Sequence, residues 1–374
     1  MKKIYTSTQF KRHSASRSRS TLRESRKKNK RSEKKRRQNR LSQFQNTILP
    51  QRVKGHNSYR QHSKQNKYKP LPAPSDFRLL TNTQKCLRFF SRLLDANSVI
   101  LINGQKRKFV TLQNVENIDY AAISVFKSII EDLKDSHIIV RGDFPQNDEC
   151  RRIIINSGFL AHLVNDQNRP FNIDTKSNLL RFEKGTGKMT EEHSQVLTET
   201  IKKVAAELTG RPYKCSMLKS LLLEICGNSI EWSRTKDSKN ARWHLGVIYD
   251  NDQVVITVTD IGDGILGTLF SRFGKMLEMM HKSDKDILYG AFEQKYGSNT
   301  KEINRNQGLR LVKHFHDDKC LMGLKVLTNN VLLDFDHPEH SVELSHIGAT
   351  FSGTYYQWIL DAQSINKINN NIWN

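Results

Sequence analysis

The sequence predicts an α/β fold in two successive parts behind a basic amino-terminal tail. After about residue 77, runs that alternate like a β-strand are interleaved with runs whose apolar residues recur at helical spacing. Before that point the charge is one-sided: residues 1–70 contain 23 Lys and Arg and only two acids, so they hold +21 of the net charge of +23. A segment of this composition buries too little apolar surface to offset the entropy of ordering. Residues 1–76 are therefore predicted to be a disordered tail that ends in a proline-punctuated linker.

The first part, over residues 77–165, is predicted to be a small sheet with helices packed on it. Its elements alternate, with strands at 97–103, 108–112 and 137–141 and helices at 120–135 and 147–159. Asp119 stands directly before the longer helix. A carboxylate there can accept hydrogen bonds from the first backbone amides of the helix, so Asp119 is predicted to be its N-cap.

The second part, over residues 189–360, follows a polar, glycine-bearing connection at 166–188 and precedes a polar tail at 361–374. Gly210 is the predicted stop of its first helix, because glycine readily adopts the left-handed conformation that ends helices. The predicted elements at its start are helices at 191–208 and 218–233 and a hairpin of strands at 243–250 and 253–260.

Composition narrows the class of protein. The five cysteines are scattered without CxxC spacing, which is typical of a reducing compartment rather than of a disulfide framework. The thirteen histidines show no spacing typical of a metal site. No apolar run reaches the roughly 18 residues of a membrane helix, and no apolar leader is present. A cytoplasmic protein without a membrane partner is therefore predicted.

The predicted amphipathic helix at 218–233 contains two unusual polar residues beside its apolar face. Glu224 and Asn228 are four residues apart, so they project from the same flank of the helix. Burying a carboxylate and an amide is costly unless a polar partner meets them. A hydrated divalent cation with a polyphosphate is such a partner, and the alternative for this pair alone is the half-exposed edge of an ordinary helix.

Asp260 ends the second strand of the hairpin and is followed by Gly262 and Gly264. A carboxylate at a strand end can accept a hydrogen bond from an amino group such as the exocyclic amine of adenine. Glycines let the backbone turn sharply and approach a flat ligand. Alone, the same pattern also describes ordinary turns and some calcium loops.

Two further glycine motifs follow. Gly308 and Leu309 open a predicted helix whose first N–H groups can face phosphate, and Gly353 and Thr354 lie in a late strand. In order and spacing, the four motifs resemble those of the GHKL superfamily of ATP-binding domains, over residues 190–360. The resemblance implies ATP and Mg²⁺ as ligands and a Bergerat-type α/β sandwich, in which helices cover one face of a mixed sheet.

The resemblance also implies a role for each polar motif residue. Asn228 would hold Mg²⁺ against the triphosphate, and Glu224 would be the general base that activates water or an acceptor hydroxyl. Asp260 would bind the adenine amine, with Thr354 supporting it through a water molecule.

The glycine motifs have implied roles of their own. Gly262 and Gly264 would floor the base pocket. Gly308 and Leu309 would belong to the phosphate-facing hinge of a mobile lid at 265–305.

Departures from the family pattern limit the predicted activity. Asn306 and Arg310 stand where glycines are usual, which predicts a stiffer lid and weaker phosphate binding. His193 precedes the ATP-binding motifs but is followed by Ser194 rather than by an acid, so a histidine-kinase phosphoacceptor is not expected. No GxxxxGK[ST] phosphate-binding loop occurs.

Residues 109–134, FVTLQNVENIDYAAISVFKSIIEDLK, resemble the STAS-type domain of anti-sigma-factor antagonists. Asp119 matches the aspartate that opens the helix in that family. Tyr120, Ala121 and Ala122 replace the rest of the motif, including the serine that accepts phosphate. A phosphorylation switch is therefore not expected here, and an ordinary α/β module is the alternative.

Together these features predict a Mg·ATP-binding regulatory protein that acts on a protein partner, as a monomer or a homodimer. The chemistry would be slow ATP hydrolysis or anti-sigma-type Ser/Thr phosphoryl transfer, so the enzyme class is ATPase or protein kinase. The alternative is a nucleic-acid-binding protein that contacts phosphates through residues 1–70 and whose nucleotide site is degenerate or purely switch-like.

Overall fold

The computed structural model describes residues 69–163, 169, 171, 180–186, 189–231, 242–296, 307–344 and 349–370. The predicted disordered tail lies outside these residues as far as residue 68. From Lys67 to Asn374 the chain forms one compact unit. None of the described helices is long and apolar enough to cross a membrane.

The described residues form a mixture of helices and several sheets. The helices are α1 (Thr83–Leu94), α2 (Tyr120–Asp135), α3 (Asp148–Asn156), α4 (Glu191–Thr209), α5 (Ser216–Glu231), α6 (Gly264–Met279), α7 (Asp284–Phe292), α8 (Gln307–Asp317) and α9 (Ala362–Asn370). The strands are β1 (Leu71–Pro72), β2 (Asp76–Phe77), β3 (Ile100–Ile102), β4 (Gln105–Thr111), β5 (Asn117–Ile118), β6 (Ile138–Arg141), β7 (Leu180–Thr186), β8 (Arg242–Asp250), β9 (Gln253–Asp260), β10 (Met322–Asn329), β11 (Val331–Asp334), β12 (Val342–Glu343) and β13 (Phe351–Leu360).

The largest sheet has seven strands in the order β12-β11-β10-β13-β9-β8-β7. Every pairing within it is antiparallel in the described part of the chain, so the prediction of a mixed sheet is wrong here. Tight turns join β8 to β9 and β10 to β11, and such turns return the chain antiparallel. A mixed sheet occurs instead in the first part, where β4 pairs in parallel with β1 and β6 and antiparallel with β3.

Both faces of the seven-stranded sheet are covered. Side chains alternate between the faces along each strand. On β9, Ile256 and Val258 belong to the core that the sheet shares with α4, α5 and α6. Val255 and Thr257 point the other way, to the core that contains α1 and α2. The helices of the second part share the first of these cores, and α1 and α2 of the first part cover the other face of the sheet.

Polar pairs join α2 to this second face. The Ser124 hydroxyl lies 3.3 Å from that of Thr257, and the Ser128 hydroxyl lies 3.1 Å from Nδ1 of His244. Arg242 at the start of β8 forms an ion pair with Asp135 at the end of α2. These contacts satisfy polar groups that the packing removes from water.

The domain limits at 77–165 and 189–360 remain predictions.

Asp119 is the N-cap of α2, which confirms that prediction. Its Oδ1 accepts a hydrogen bond from the backbone N–H of Ala122 at 2.7 Å, and its Oδ2 accepts one from that of Leu80 at 3.3 Å. Burial raises the pKa of this carboxyl, while the hydrogen bonds act in the opposite direction. Ser124, the nearest serine of the helix, is buried against the large sheet and is not placed to accept phosphate.

Three segments predicted to be irregular contribute to the fold. The linker at 69–76 contains β1, which pairs with β4, and the connection at 166–188 contains β7, the edge strand beside β8. The tail at 361–374 contains α9, which buries Ile365 and Ile368 in the main core. The prediction of irregular structure is wrong for these parts, because each is ordered by a partner that is distant in sequence and that its own residues do not reveal.

The structure also differs from the prediction in part of the region 265–305, which was predicted to be a mobile lid. Residues 264–292 form α6 and α7, whose apolar side chains belong to the main core, among them Leu266, Leu277 and Phe292. Residues 297–306 lie outside the described part of the chain. The prediction of one mobile lid is thus wrong for α6 and α7, which are packed helices.

Candidate functional site

A small cavity opens where α5 and α6 meet the ends of β9 and β13. Asn228, Asp260, Gly264, Leu309 and Thr354 line it, five of the eight predicted site residues. Its volume is about 80 Å³, well below the ~300–1,000 Å³ that is typical of small-molecule sites. A ligand of nucleotide size therefore enters only if lining side chains or α8 move outwards.

Asp260 is one of the residues that line this cavity. It is the last residue of β9 and pairs across the sheet with Thr354 of β13. The backbone N–H of Thr354 donates a hydrogen bond of 3.2 Å to Oδ1 of Asp260. Only 8% of Asp260 is exposed, so its carboxylate is largely removed from water and needs hydrogen-bond partners such as this one.

The Asp260 carboxylate affects the pKa values of two neighbouring side chains. Burial first, and the negative charge of Asp260 second, raise the pKa of the Cys226 thiol and of the Tyr356 phenol. Both groups therefore stay protonated at neutral pH. Cys226 is not a thiolate nucleophile, and Tyr356 offers the cavity wall an uncharged ring.

The first turn of α6 follows directly from the aspartate–glycine motif. Gly264 has φ +72°, and a Cβ placed on it would lie 2.4 Å from Oδ1 of Asn329, so only glycine fits. The backbone amide of Ile265 donates to the Thr328 hydroxyl, and those of Leu266 and Gly267 donate to Asn329. Because protein groups already satisfy these amides, this helix start is a poor phosphate site.

Gly262 does not line the cavity. Its backbone N–H donates a hydrogen bond of 3.2 Å to the carbonyl oxygen of Ser352, which ties the loop after β9 to the start of β13. Gly262 therefore helps to hold this loop in place and does not form the floor of a base pocket.

The start of α8 meets α5 at Gly308. A Cβ on Gly308 would lie 2.7 Å from Nδ2 of Asn228 and 3.4 Å from Cβ of Glu224. The absent side chain lets the first turn of α8 approach both polar residues closely. Amides at a helix start attract anions, so this is the end of the cavity best suited to phosphate. Glu224 itself is exposed and does not line the cavity.

Arg272 is a cavity residue that the sequence motifs missed. With Ile265, Thr268 and Leu269 it lies on one face of α6, and all four line the cavity. Among the described lining residues it is the only one with a positive charge. The spacing of three, four and seven residues from Ile265 was a signal for this shared face, but nothing in the sequence showed that the face borders Asp260.

Neither the comparison with models of protein families nor the comparison with curated proteins returned a match. Function is therefore inferred from the cavity residues and their contacts.

Proposed function

We propose that this chain is a Mg·ATP-binding regulatory protein of the GHKL type, with its nucleotide at the cavity between α5, α6 and β13. The observation that carries the proposal is the convergence of Asn228, Asp260, Gly264, Leu309 and Thr354 at one cavity. They come from separate segments of the chain. The finer fold, a Bergerat-type sandwich built here on an antiparallel sheet and with a STAS-like module on its second face, belongs to the same proposal.

The two ends of the cavity suit the two ends of a nucleotide. The buried carboxylate of Asp260 is an acceptor for the exocyclic amine of a purine, and Tyr356 provides an apolar wall. At the other end, Asn228 lies beside the first turn of α8, where backbone amides attract phosphate.

The donor set also fits Mg²⁺. Asn228 and Glu224 offer an amide oxygen and a carboxylate, and Mg²⁺ prefers oxygen ligands while keeping several waters. The close approach at Gly308 brings the first turn of α8 directly beside Asn228. Asn228 would hold the ion, which neutralises phosphate charge when bound.

Glu224 has the position of a general base rather than of a pocket residue. It is exposed, one helical turn before Asn228, and close to the start of α8. From there its carboxylate would take a proton from water, giving slow ATP hydrolysis, or from a Ser or Thr hydroxyl of a protein partner, giving phosphoryl transfer.

Replacing Asn228 by alanine should weaken Mg·ATP binding by about tenfold, which corresponds to about 1.4 kcal/mol. The reason is the loss of the oxygen that holds the ion beside the phosphates. Calorimetric titration of the full chain with ATP, with and without Mg²⁺, measures the change. Absence of any ATP binding by the wild-type protein would refute the proposed function itself.

Arg272→Ala should distinguish the phosphate end from the base end. We expect ATP to bind about tenfold more weakly, because a charge-assisted contact to phosphate is lost. Adenosine affinity should be unchanged, and Arg272→Lys should recover part of the loss. The same loss for adenosine and ATP would show that Arg272 does not contact phosphate.

A nucleic-acid-binding protein is the second candidate. It is favoured by the +21 charge within residues 1–70 and by a cavity of only about 80 Å³. Basic tails of this kind bind phosphates with an affinity that falls steeply with salt. Under this candidate the cavity binds no nucleotide, so the calorimetric titration above separates the two.

A further inference from the structure

We infer that the turn between β11 and β12 is a binding site for a divalent cation of the zinc class. His337, Glu339 and His340 would hold the ion, and neither the cavity nor the proposed nucleotide takes part. The turn lies at the far edge of the seven-stranded sheet, with β10 and β13 between β11 and the Asp260 strand.

The three side chains share one short turn. Pro338–His340 form a single 3-10 turn, with His337 directly before it. Their potential ligand atoms all lie within 4.8 Å of one another, the one such group among the described residues. Nδ1 of His337 is 3.3 Å from Oε1 of Glu339, and the two imidazole rings are 5.3 Å apart between centroids.

These separations suit tetrahedral coordination. Bonds of ~2.0–2.1 Å to the ion place neighbouring ligand atoms about 3.4 Å apart. The pair of His337 and Glu339 already has this spacing. All three residues are exposed, so rotation of the His340 side chain can bring its imidazole into range without moving the core.

The backbone of the turn is held in place before any ion binds. The N–H of His337 donates to Oδ1 of Asp334, a buried residue that also forms an ion pair with Lys325. The Ser341 hydroxyl accepts from the N–H of Asp334, and the N–H of His340 donates to the carbonyl oxygen of His337. Pro338 restricts φ between the ligands. Ordering the backbone therefore costs little on binding.

Ligand chemistry selects the class of ion. Two imidazoles with one carboxylate form a set typical of Zn²⁺ sites that keep a fourth position for water. Ca²⁺ and Mg²⁺ prefer sites made of oxygen ligands. Because the side chains are exposed, they lose rotamer freedom on binding, and we expect micromolar rather than nanomolar affinity.

The test is calorimetric titration of the full chain, without an affinity tag, with ZnCl₂ in a buffer that does not chelate. The variants His337→Asn and His340→Asn each remove one imidazole from the turn. His137→Asn is the matched control, because it makes the same change at an exposed histidine outside the group. Asn also tolerates the positive φ of His137.

We expect wild type and His137→Asn to bind one Zn²⁺ more than His337→Asn or His340→Asn. Glu339→Gln should keep the site with at least about tenfold weaker affinity, because the carboxylate charge is lost while its size is kept. Titration of the wild-type protein with CaCl₂ should give no heat of binding at this turn. Equal stoichiometry and affinity in wild type and both histidine variants would overturn the inference. Since the three side chains are on the surface, equal thermal unfolding without metal shows that the variants are folded.

Discussion

Gly353→Ala is expected to cost the protein about 4 kcal/mol or more of its free energy of unfolding, a large part of the roughly 5–15 kcal/mol that stabilises an ordinary protein. Gly353 has φ +149°, a backbone conformation that residues with a side chain rarely adopt. A Cβ there would lie 2.0 Å from the carbonyl oxygen of Asp260. The Cβ position is fixed by the backbone of β13 and the oxygen belongs to the backbone of β9, so the two atoms cannot separate without breaking the pairing of these strands.

The measurement is the midpoint and slope of denaturant unfolding, followed in parallel for wild type and variant. Gly274→Ala is the matched control. Gly274 lies within α6, and a Cβ on it would contact nothing within 4 Å, so this change should stabilise the protein by about 0.5–1 kcal/mol. If both variants unfold at the wild-type midpoint, the close approach of β9 and β13 at Gly353 is not present in solution.

The close approach of β13 to β9 at Gly353 also explains how the Asp260 carboxylate can be buried and still be placed to bind a ligand. The next residue, Thr354, supplies the N–H that donates to the Asp260 carboxylate, while the Thr328 hydroxyl donates to the carbonyl oxygen of Gly353. Three strands are thus bonded to one another around the aspartate. A carboxylate held in this way loses little entropy when a ligand arrives, which is the physical basis of preorganised recognition.

Elements with strong local signals were predictable from the sequence. Asp119 caps α2, and α4 ends at Gly210 with φ +72°, because short-range hydrogen bonds and backbone freedom decide these positions. The hairpin of β8 and β9 was predictable for the same reason, since alternation and its turn residues lie within 18 consecutive positions.

Elements whose stability comes from distant partners were not predictable. In α9 only Ile365 and Ile368 are buried apolar residues, and the helix forms because they reach the main core and Asp361 caps its first turn. On β9, Thr257 and Thr259 are polar, yet both are buried, and the Thr257 hydroxyl contacts Ser124 of α2. Threonine fits either environment when a hydroxyl partner is available, so the second covered face left no clear pattern.

The sequence placed five of the eight predicted residues at one cavity but did not indicate the shape of that cavity. Motif order selected residues that lie at one cavity, because each needs a special residue type: an acid at a strand end or a glycine at a close approach. The exposure of Glu224, the contribution of Arg272 and the small volume depend on how α5, α6 and α8 pack. Those distances are set by the whole core and have no local signature in the sequence.

Gly308→Ala should weaken Mg·ATP binding by about 100-fold, or about 2.7 kcal/mol, while leaving the protein folded. The new Cβ would lie 2.7 Å from Nδ2 of Asn228, and that atom is the end of a side chain that can rotate away. Stability therefore changes little, and alanine even favours the helical backbone of α8. Binding suffers because the methyl group displaces Asn228, the residue proposed to hold Mg²⁺ against the phosphates.

Calorimetry with Mg·ATP and denaturant unfolding should be carried out on the same preparations. Gly227→Ala is the matched control: it lies next to Asn228 in α5, and a Cβ on it would meet nothing within 4 Å, so ATP affinity should stay at the wild-type value. A double variant with Asn228→Ala should show losses that do not add, since part of the Gly308→Ala effect acts through Asn228. Wild-type affinity in Gly308→Ala would contradict the placement of phosphate between α5 and α8. Equal losses in Gly227→Ala and Gly308→Ala would show that helix α5, rather than the contact at Gly308, controls the binding.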